Sequence, residues 1–494
     1  MKVKIQKALK KEKGLLIVPY FKGETKAPKY YNEELKSLLK KALNEKELSG
    51  KGGEKKYFTI DSKAMPGKVL FFGAGKSEKL TGARVRKLGS DICMETRALK
   101  QNDVMILMSP ELDIYARELI EGIALKDYRI SKYKTGEDCE LETKAEINNI
   151  ILVSKKEGKT LEKEIEKALV VAQATNVTKD LVNGPANIID IEYFESIAKQ
   201  LKKDYGYKVT VIDKAELKKQ GWGGLLAVNQ GSYKPAKVIT LEYNGAKNPK
   251  EKPIVLVGKG VVFDSGGYNL KPSAHMEDMH SDKAGASAII GIFTALKDLK
   301  IKKNVVGVLV LTENMIDGNA FRPSDVITML NGKTVEIKNT DAEGRLILAD
   351  GVHYAQKKFK PECLIDIATL TGAAMVALGD RYTAMFTNDK EIGKRLLKAG
   401  DETDDLIWEL PLHKDHIEKV KSKVADYCNA DVGTSHLAGG SKGAAFVAVF
   451  VEKDMKWAHI DIAGTAYTHD PKKYEQKGAT GIGVRFLLNF IENY

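Results

Sequence analysis

VLVGKGVVFDSGGYNLKPSAHMEDMHSDKAGASAIIGIF, residues 255–293, holds the order of elements that decides the fold. An apolar strand runs into Lys259, and a second short apolar piece ends at Asp264-Ser265-Gly266-Gly267. After Lys271, Asp282 stands where a helix of small and apolar residues begins. Strand, polar loop and helix in this sequence specify an α/β unit, and glycine at a strand end lets backbone approach a ligand closely.

Further strand candidates with helical patterns between them lie on either side: YKVTVID, AKVITLEY, KNVVGVLVLT, CLIDIATL and WAHIDIAG. Before them comes TLEKEIEKALVVAQATNVTKDLVN, with apolar residues at helical spacing and no breaker until Gly184-Pro185, which predicts a long connecting helix. Earlier still, GLLIVPYF, KVLFFGAG, DVMILM and NNIILVS read as strands and ARELIEGIALKDYRI as a helix. A chain of 494 residues exceeds the usual size of a single core. The expected organisation is therefore a small α/β domain over 1–160, a connecting helix over 161–183 and a larger α/β domain over 184–494, built on a mixed central sheet flanked by helices.

The formal charge of +12 raises the question of a nucleic-acid partner. Most of it is N-terminal: residues 1–60 carry 16 lysines against seven acids, whereas residues 171–494 carry 43 basic and 41 acidic groups. Lys2, Lys4, Lys7 and Lys10 interleave with few aromatics and form no base-reading motif, so solvated lysines are the simpler reading and DNA binding the alternative. No apolar run is long enough to span a membrane, and no cleavable leader pattern opens the chain, which leads us to expect a cytoplasmic protein. Cys93, Cys139, Cys363 and Cys428 are far apart, with no C-x-x-C pair, and are expected to be reduced.

Several chemistries fail on spacing. GKGVVFDSGG lacks the Walker interval, and no G-x-G-x-x-G is present. GGSKG, residues 439–443, fits a nucleophile elbow at Ser441 in letters only, because the DVGTSHLA before it reads as loop rather than strand. It is expected to be a glycine-rich loop leading into AAFVAVFVEKD. None of the eight histidines forms a zinc pattern, and His459 is read as a satisfied core or supporting group. Carboxylates remain. In IKNTDAEGRLILAD, residues 337–350, Asp341 and Glu343 lie two apart, and side chains two apart in an extended segment share a face. With Asp264 and Asp282 they form a hard-oxygen set at the ends of apolar elements, where loops of such sheets gather ligands. Converging acids without cations would repel, and two divalent metals would remove that cost. The residue pattern alone leaves this reading beside another, in which the acids cap helices and pair with surplus lysines.

NTDAEGRL, residues 339–346, taken with GKGVVFDSGG, Lys271 and Asp282, resembles the signature of the leucyl aminopeptidase family of two-metal cytosolic exopeptidases. LVNGPAN, ENMIDGNAFRPSDVITMLNGKTVE, IATLTGA, WAHIDIAGTAY and GATGIGVRFL follow in the family's order. The first domain is similar to the family's only in size and α/β character.

The resemblance implies removal of N-terminal residues from peptides. Lys259, Asp264, Asp282 and Glu343 would hold a tightly bound metal. Asp264, Asp341 and Glu343 would hold an exchangeable one, with the Asp341 carbonyl as a further ligand. Zinc or manganese is expected, with magnesium or cobalt as alternatives, and a hydroxide bridging the two ions is the implied nucleophile. Lys271 would stabilise the oxyanion, and Arg345 would hold a bicarbonate acting as general base. Met279, Thr369, Gly372, Ala463 and Ala466 would line the side-chain pocket, favouring Leu or Met, with Ala466 widening it. A homohexamer is the implied assembly. His280 and Lys283, flanking Asp282, and Tyr268-Asn269 depart from the family pattern, and Lys283 is expected to add positive charge beside a ligand.

Overall fold

The computed structural model describes all residues except 24–27, 29, 131, 137–145, 157 and 432–436, so Cys139 and most of the DVGTSHLA segment lie outside the described residues. The chain divides into two compact units. One comprises Met1–Gln173 with Pro471–Gln476, and the other Ala174–Asp470 with Lys477–Tyr494. The division falls inside the helix Lys159–Asn183.

In the first unit, β1 (Lys2–Gln6), β2 (Leu15–Phe21), β3 (Lys55–Thr59), β4 (Lys68–Gly75), β5 (Asp103–Leu107) and β6 (Asn149–Val153) form a sheet of order β1-β6-β5-β2-β4-β3. All neighbours are parallel except β3 with β4. The central strand β2 is buried on both faces: Leu15, Ile17 and Phe21 enter one core, and Leu16, Val18 and Tyr20 the other. That is why its sequence reads as an unbroken apolar run.

The second unit is built on an eight-stranded sheet. Its members are β7 (Lys208–Ile212), β8 (Lys237–Asn244), β9 (Ile254–Asp264), β10 (Asn304–Asn314), β13 (Cys363–Ala368), β14 (Thr383–Thr387), β15 (Ile407–Glu409) and β17 (Trp457–Asp461), in the order β15-β14-β17-β13-β9-β10-β8-β7. A small sheet of β11 (Val326–Thr328), β12 (Thr334–Glu336) and β16 (Tyr427–Cys428) stands beside it. The four central strands β17, β13, β9 and β10 run parallel, β8 is antiparallel to β10 and β7, and β14 is antiparallel to β17 but parallel to β15, so the sheet is mixed, as expected from the sequence. Helices cover both faces of β9. A Cβ on Gly258 would lie 2.8 Å from the Ala286 backbone, in the helix Ala284–Ala295. One on Gly351, in the helix Gly344–Phe359, would meet Val257 at 3.0 Å. The carboxyl ends of the four parallel strands open on one edge, the usual ligand edge of such sheets.

GGSKG differs from expectation: residues 439–443 form the first turns of the helix Gly439–Ala448, entered through Ala438 at φ +53°, not a loop leading into it. The glycines reduce helix propensity, but burial of 440–447 against the core overrides it.

Candidate metal centre and active site

Lys259 lies within β9 and Asp264 at its end. Asp282 closes a short helical turn before the helix Ala284–Ala295, and Glu343 precedes the first residue of the helix Gly344–Phe359. Two glycines make this convergence possible. A Cβ on Gly285 would lie 2.1 Å from the Ile367 carbonyl and 3.0 Å from the Lys259 nitrogen, so only glycine brings the Asp282 turn this close to β9 and β13. A Cβ on Gly344 would lie 2.7 Å from Lys259 Nζ, in the space the ammonium occupies.

Lys259 Nζ sits 2.8 Å from Asp282 Oδ1, 2.8 Å from Glu343 Oε1 and 2.9 Å from the Thr369 carbonyl. Lys271 Nζ lies 2.9 Å from Asp264 Oδ2 and pairs with Asp341 Oδ1. Asp264, Asp341 and Glu343 each offer an oxygen within 4.8 Å of the others. The extended spacing invoked for Asp341 and Glu343 is not what aims them. Asp341 stands in a turn and Glu343 has helical dihedrals (φ −80°, ψ −36°), so a bend at the helix entrance turns both inward.

Burial, and then the neighbouring carboxylates, push Asp282, Asp341 and Glu343 above the usual carboxylate range against the pull of the lysines. Burial disfavours the Lys259 and Lys271 charges, but the surrounding acids overcome it and hold both ammonium groups above their ordinary range. Four carboxylates against two ammonium groups leave negative charge uncompensated, and buried Asp282 Oδ2 has no hydrogen-bond partner among the described residues. This donor set suits hard divalent cations: it is all oxygen apart from the Lys259 amine, and cations would reverse the upward shifts of lysines and acids alike.

Other residues hold the site together without a signal in the sequence. Buried Asn429 accepts from the Lys338 and Asn339 N–H groups at 2.8 and 3.3 Å and donates to the Asn339 and Ala342 carbonyls at 2.6 and 3.2 Å, clamping the segment that carries Asp341. Asn314 donates to Asp264 Oδ1 at 2.8 Å and to the Thr340 carbonyl at 3.1 Å. Asn269 exchanges hydrogen bonds with Thr340: its N–H donates to the hydroxyl at 2.8 Å, and its side-chain oxygen accepts from the Thr340 N–H at 2.8 Å. Asp461 accepts from Leu370, Thr371 and Ala463 N–H groups at 3.0–3.1 Å.

The pocket positions fall on these loops. Thr369 donates to Asp282 Oδ1 at 2.7 Å, Gly372 follows the Asp461-bound Thr371, and Ala463 shares the same carboxylate. His280, beside Met279, meets Tyr467, beside Ala466, edge to face at 5.7 Å, so Met279 and buried Ala466 lie on neighbouring segments. Lys283, expected to add positive charge beside Asp282, pairs elsewhere. Its Nζ donates to the Gly184 carbonyl at 2.7 Å, and burial with nearby Lys234 lowers its pKa to about 7. His459 is buried, hydrogen-bonded at 2.5 Å to Asp366, which also accepts from Trp457 Nε1. Arg345 is half-buried, donates from Nη1 to the Asn429 carbonyl at 2.7 Å and leaves its buried Nε without a partner among the described residues. It also lines a cavity of about 720 Å³ with Ala373, Val376, Leu410 and Leu437.

Residues 176–488 match the cytosol aminopeptidase family, catalytic domain, and residues 17–137 match that family's N-terminal domain. The first unit therefore carries family sequence beyond size and class. A probable cytosol aminopeptidase of Rickettsia canadensis is 38% identical over 466 residues, covering 92% of each chain, and one of Rickettsia peacockii is 39% identical over 469 residues with the same coverage. Among solved structures, the bottromycin maturation enzyme BotP in complex with Mn superposes with a TM-score of 0.84 at 29% identity, covering 97% of this chain and 99% of that one. A tomato leucine aminopeptidase mutant superposes with a TM-score of 0.86 at 27% identity, covering 100% of this chain and 97% of the other. With both domains matched in order and the acid cluster at the expected edge of the sheet, the chain belongs to the cytosol aminopeptidase family and is a metal-dependent aminopeptidase, a hydrolase.

Proposed function

We propose that the chain removes uncharged N-terminal residues such as Leu or Met from peptides, at a centre where Lys259, Asp264, Asp282, Asp341 and Glu343 hold two divalent ions, zinc or manganese first, with magnesium or cobalt as alternatives. The observation that carries this reading is the cluster itself, with buried Asp282 Oδ2 unpartnered among the described residues and Asp264, Asp341 and Glu343 within reach of a shared cation. When bound, such ions polarise a carbonyl and make water a nucleophile near neutral pH. The chain's own groups then divide the remaining work. Lys271, released from its carboxylates, donates to the scissile carbonyl oxygen and stabilises charge that is largest in the transition state. Arg345 is a half-buried cation whose enclosed Nε lacks a partner among the described residues, and a small anion such as bicarbonate would satisfy it. Arg345 would hold and orient that anion, which would supply the general base that a guanidinium cannot be.

Met279, Thr369, Gly372, Ala463 and Ala466 present no charge to the substrate side chain, and one methylene in such a pocket changes binding by about 1–3 kcal/mol, so activity is broad. Retention of wild-type activity by both Asp341→Ala and Lys271→Ala would overturn the reading. A homohexamer in the cytoplasm is the assembly and location that fit the family; no helix among the described residues is long and apolar enough to cross a membrane. A second reading, DNA binding by the basic N-terminal segment, draws on Lys2, Lys4, Lys7 and Lys10, all exposed. It requires steep salt dependence of binding, lost when Lys2, Lys4 and Lys10 become Glu, and absence of binding at low salt removes it.

A further inference from the structure

The first unit contains a cavity of about 380 Å³ that the catalytic account does not use. It opens where adjacent parallel strands end: Leu107 closes β5, Val153 closes β6, and Lys7 follows β1. This is the edge at which parallel sheets present ligand-binding groups.

The wall is polarised. Apolar surface comes from Leu9, Leu35, Leu107 and Val153, with the edge-to-face pair Tyr30 and Tyr31, ring centroids 5.2 Å apart. Asp113, only 7% exposed, is the carboxylate in the wall. One of its oxygens accepts from the Ser154 hydroxyl at 2.7 Å. Lys7 and Lys155 line the same cavity and are exposed, at its rim. A buried carboxylate, apolar sides and cations at the rim complement a small molecule that carries an ammonium and a carboxylate side by side on a compact apolar body.

From this juxtaposition we infer that the N-terminal unit carries a binding site for a free apolar α-amino acid, its ammonium on Asp113, its side chain against Leu35 and Leu107, and its carboxylate facing Lys7 and Lys155. Burial pushes the Asp113 carboxyl above its ordinary range, and an incoming ammonium would restore the charge. Amino acids of this kind are the products of the aminopeptidase reaction. The cavity argument itself stands whether or not the metal centre works as proposed.

The test uses full-length protein carrying Asp341→Ala, which weakens product binding at the catalytic centre, and titrates it calorimetrically with L-leucine, L-leucinol and 4-methylpentanoate. Leucine is expected to bind, with 4-methylpentanoate, which lacks the amine, at least tenfold weaker. Adding Asp113→Asn should weaken leucine at least tenfold. Because Asp113 is buried and its substitution could perturb folding, Lys155→Glu at the exposed rim provides an independent arm: it should weaken leucine several-fold and leave leucinol, which has no carboxylate, unchanged. Absence of leucine binding, or leucine affinity indifferent to both Asp113→Asn and Lys155→Glu, overturns the inference. Activity assays of Lys155→Glu with intact Asp341 report separately on the catalytic reading.

Discussion

Replacing Asn429 by alanine tests whether the clamp on residues 338–342, rather than the acids alone, makes the site. The amide makes four hydrogen bonds to that segment, at 2.6–3.3 Å, and is fully buried. At about 0.5–1.5 kcal/mol each, their loss costs roughly 2–6 kcal/mol, toward the upper end because the abandoned N–H and C=O groups are enclosed. At about 2 °C per kcal/mol for a unit of this size, the thermal midpoint should fall by roughly 4–12 °C. The effect on catalysis is separate. Asp341 follows the clamped Lys338 and Asn339 in the same turn, and displacement of a reacting group by about 1 Å costs on the order of 10²-fold in rate. Hydrolysis of leucine p-nitroanilide at 20 °C, well below either midpoint, reads that term without interference from unfolding. A variant whose kcat/KM stays within twofold of wild type and whose midpoint does not move would refute the clamp.

Other outcomes follow from the same geometry. Chelation should abolish activity and lower the thermal midpoint, because an ion that binds only the folded state stabilises it by mass action; an unchanged midpoint in excess chelator would contradict a resident metal. Gly344→Ala should remove activity through Lys259, since the added methyl would lie 2.7 Å from Nζ, and normal kcat/KM in that variant would show that Lys259 does not need its present place. Buried Asp350 accepts from the Leu225 and Leu330 N–H groups, and burial raises its pKa to about 7. The folded state therefore holds a proton that the unfolded chain releases near pH 4, so this group's contribution to stability is full below pH 4 and is lost as pH rises through about 7. Melting curves from pH 4 to 8 should show Asp350→Asn gaining on wild type as pH increases, and a pH-independent difference would mean that Asp350 stays ionised throughout.

Much of this architecture was legible because the central strands are buried on both faces and so appear as apolar runs: β9, β10, β13 and β17 could be placed from composition alone. The edge strands of the smaller sheet were not. β1, KVKIQ, exposes Lys2 and Lys4 on alternating positions, and β3, KKYFT, opens on two lysines, so both look like solvated chain. The acids at the site were visible as charges inside apolar surroundings, but the reason Asp341 and Glu343 converge was not, since a turn can aim two side chains as well as an extended segment can. Lys283 illustrates the limit of adjacency: next to Asp282 in the chain, it reaches the Gly184 carbonyl instead. Asn429, Asn314 and Asp461 left no local mark, because each acts mainly through hydrogen bonds to residues distant in the chain, such as Lys338, Asp264 and Leu370.

Anomalous diffraction from crystals grown with manganese addresses the central claim most directly. Two peaks per chain, about 3.5–4 Å apart and enclosed by Lys259, Asp264, Asp282, Asp341 and Glu343, are predicted. Lysine ammoniums still seated on those carboxylates in ample manganese, with no peak among them, would contradict it.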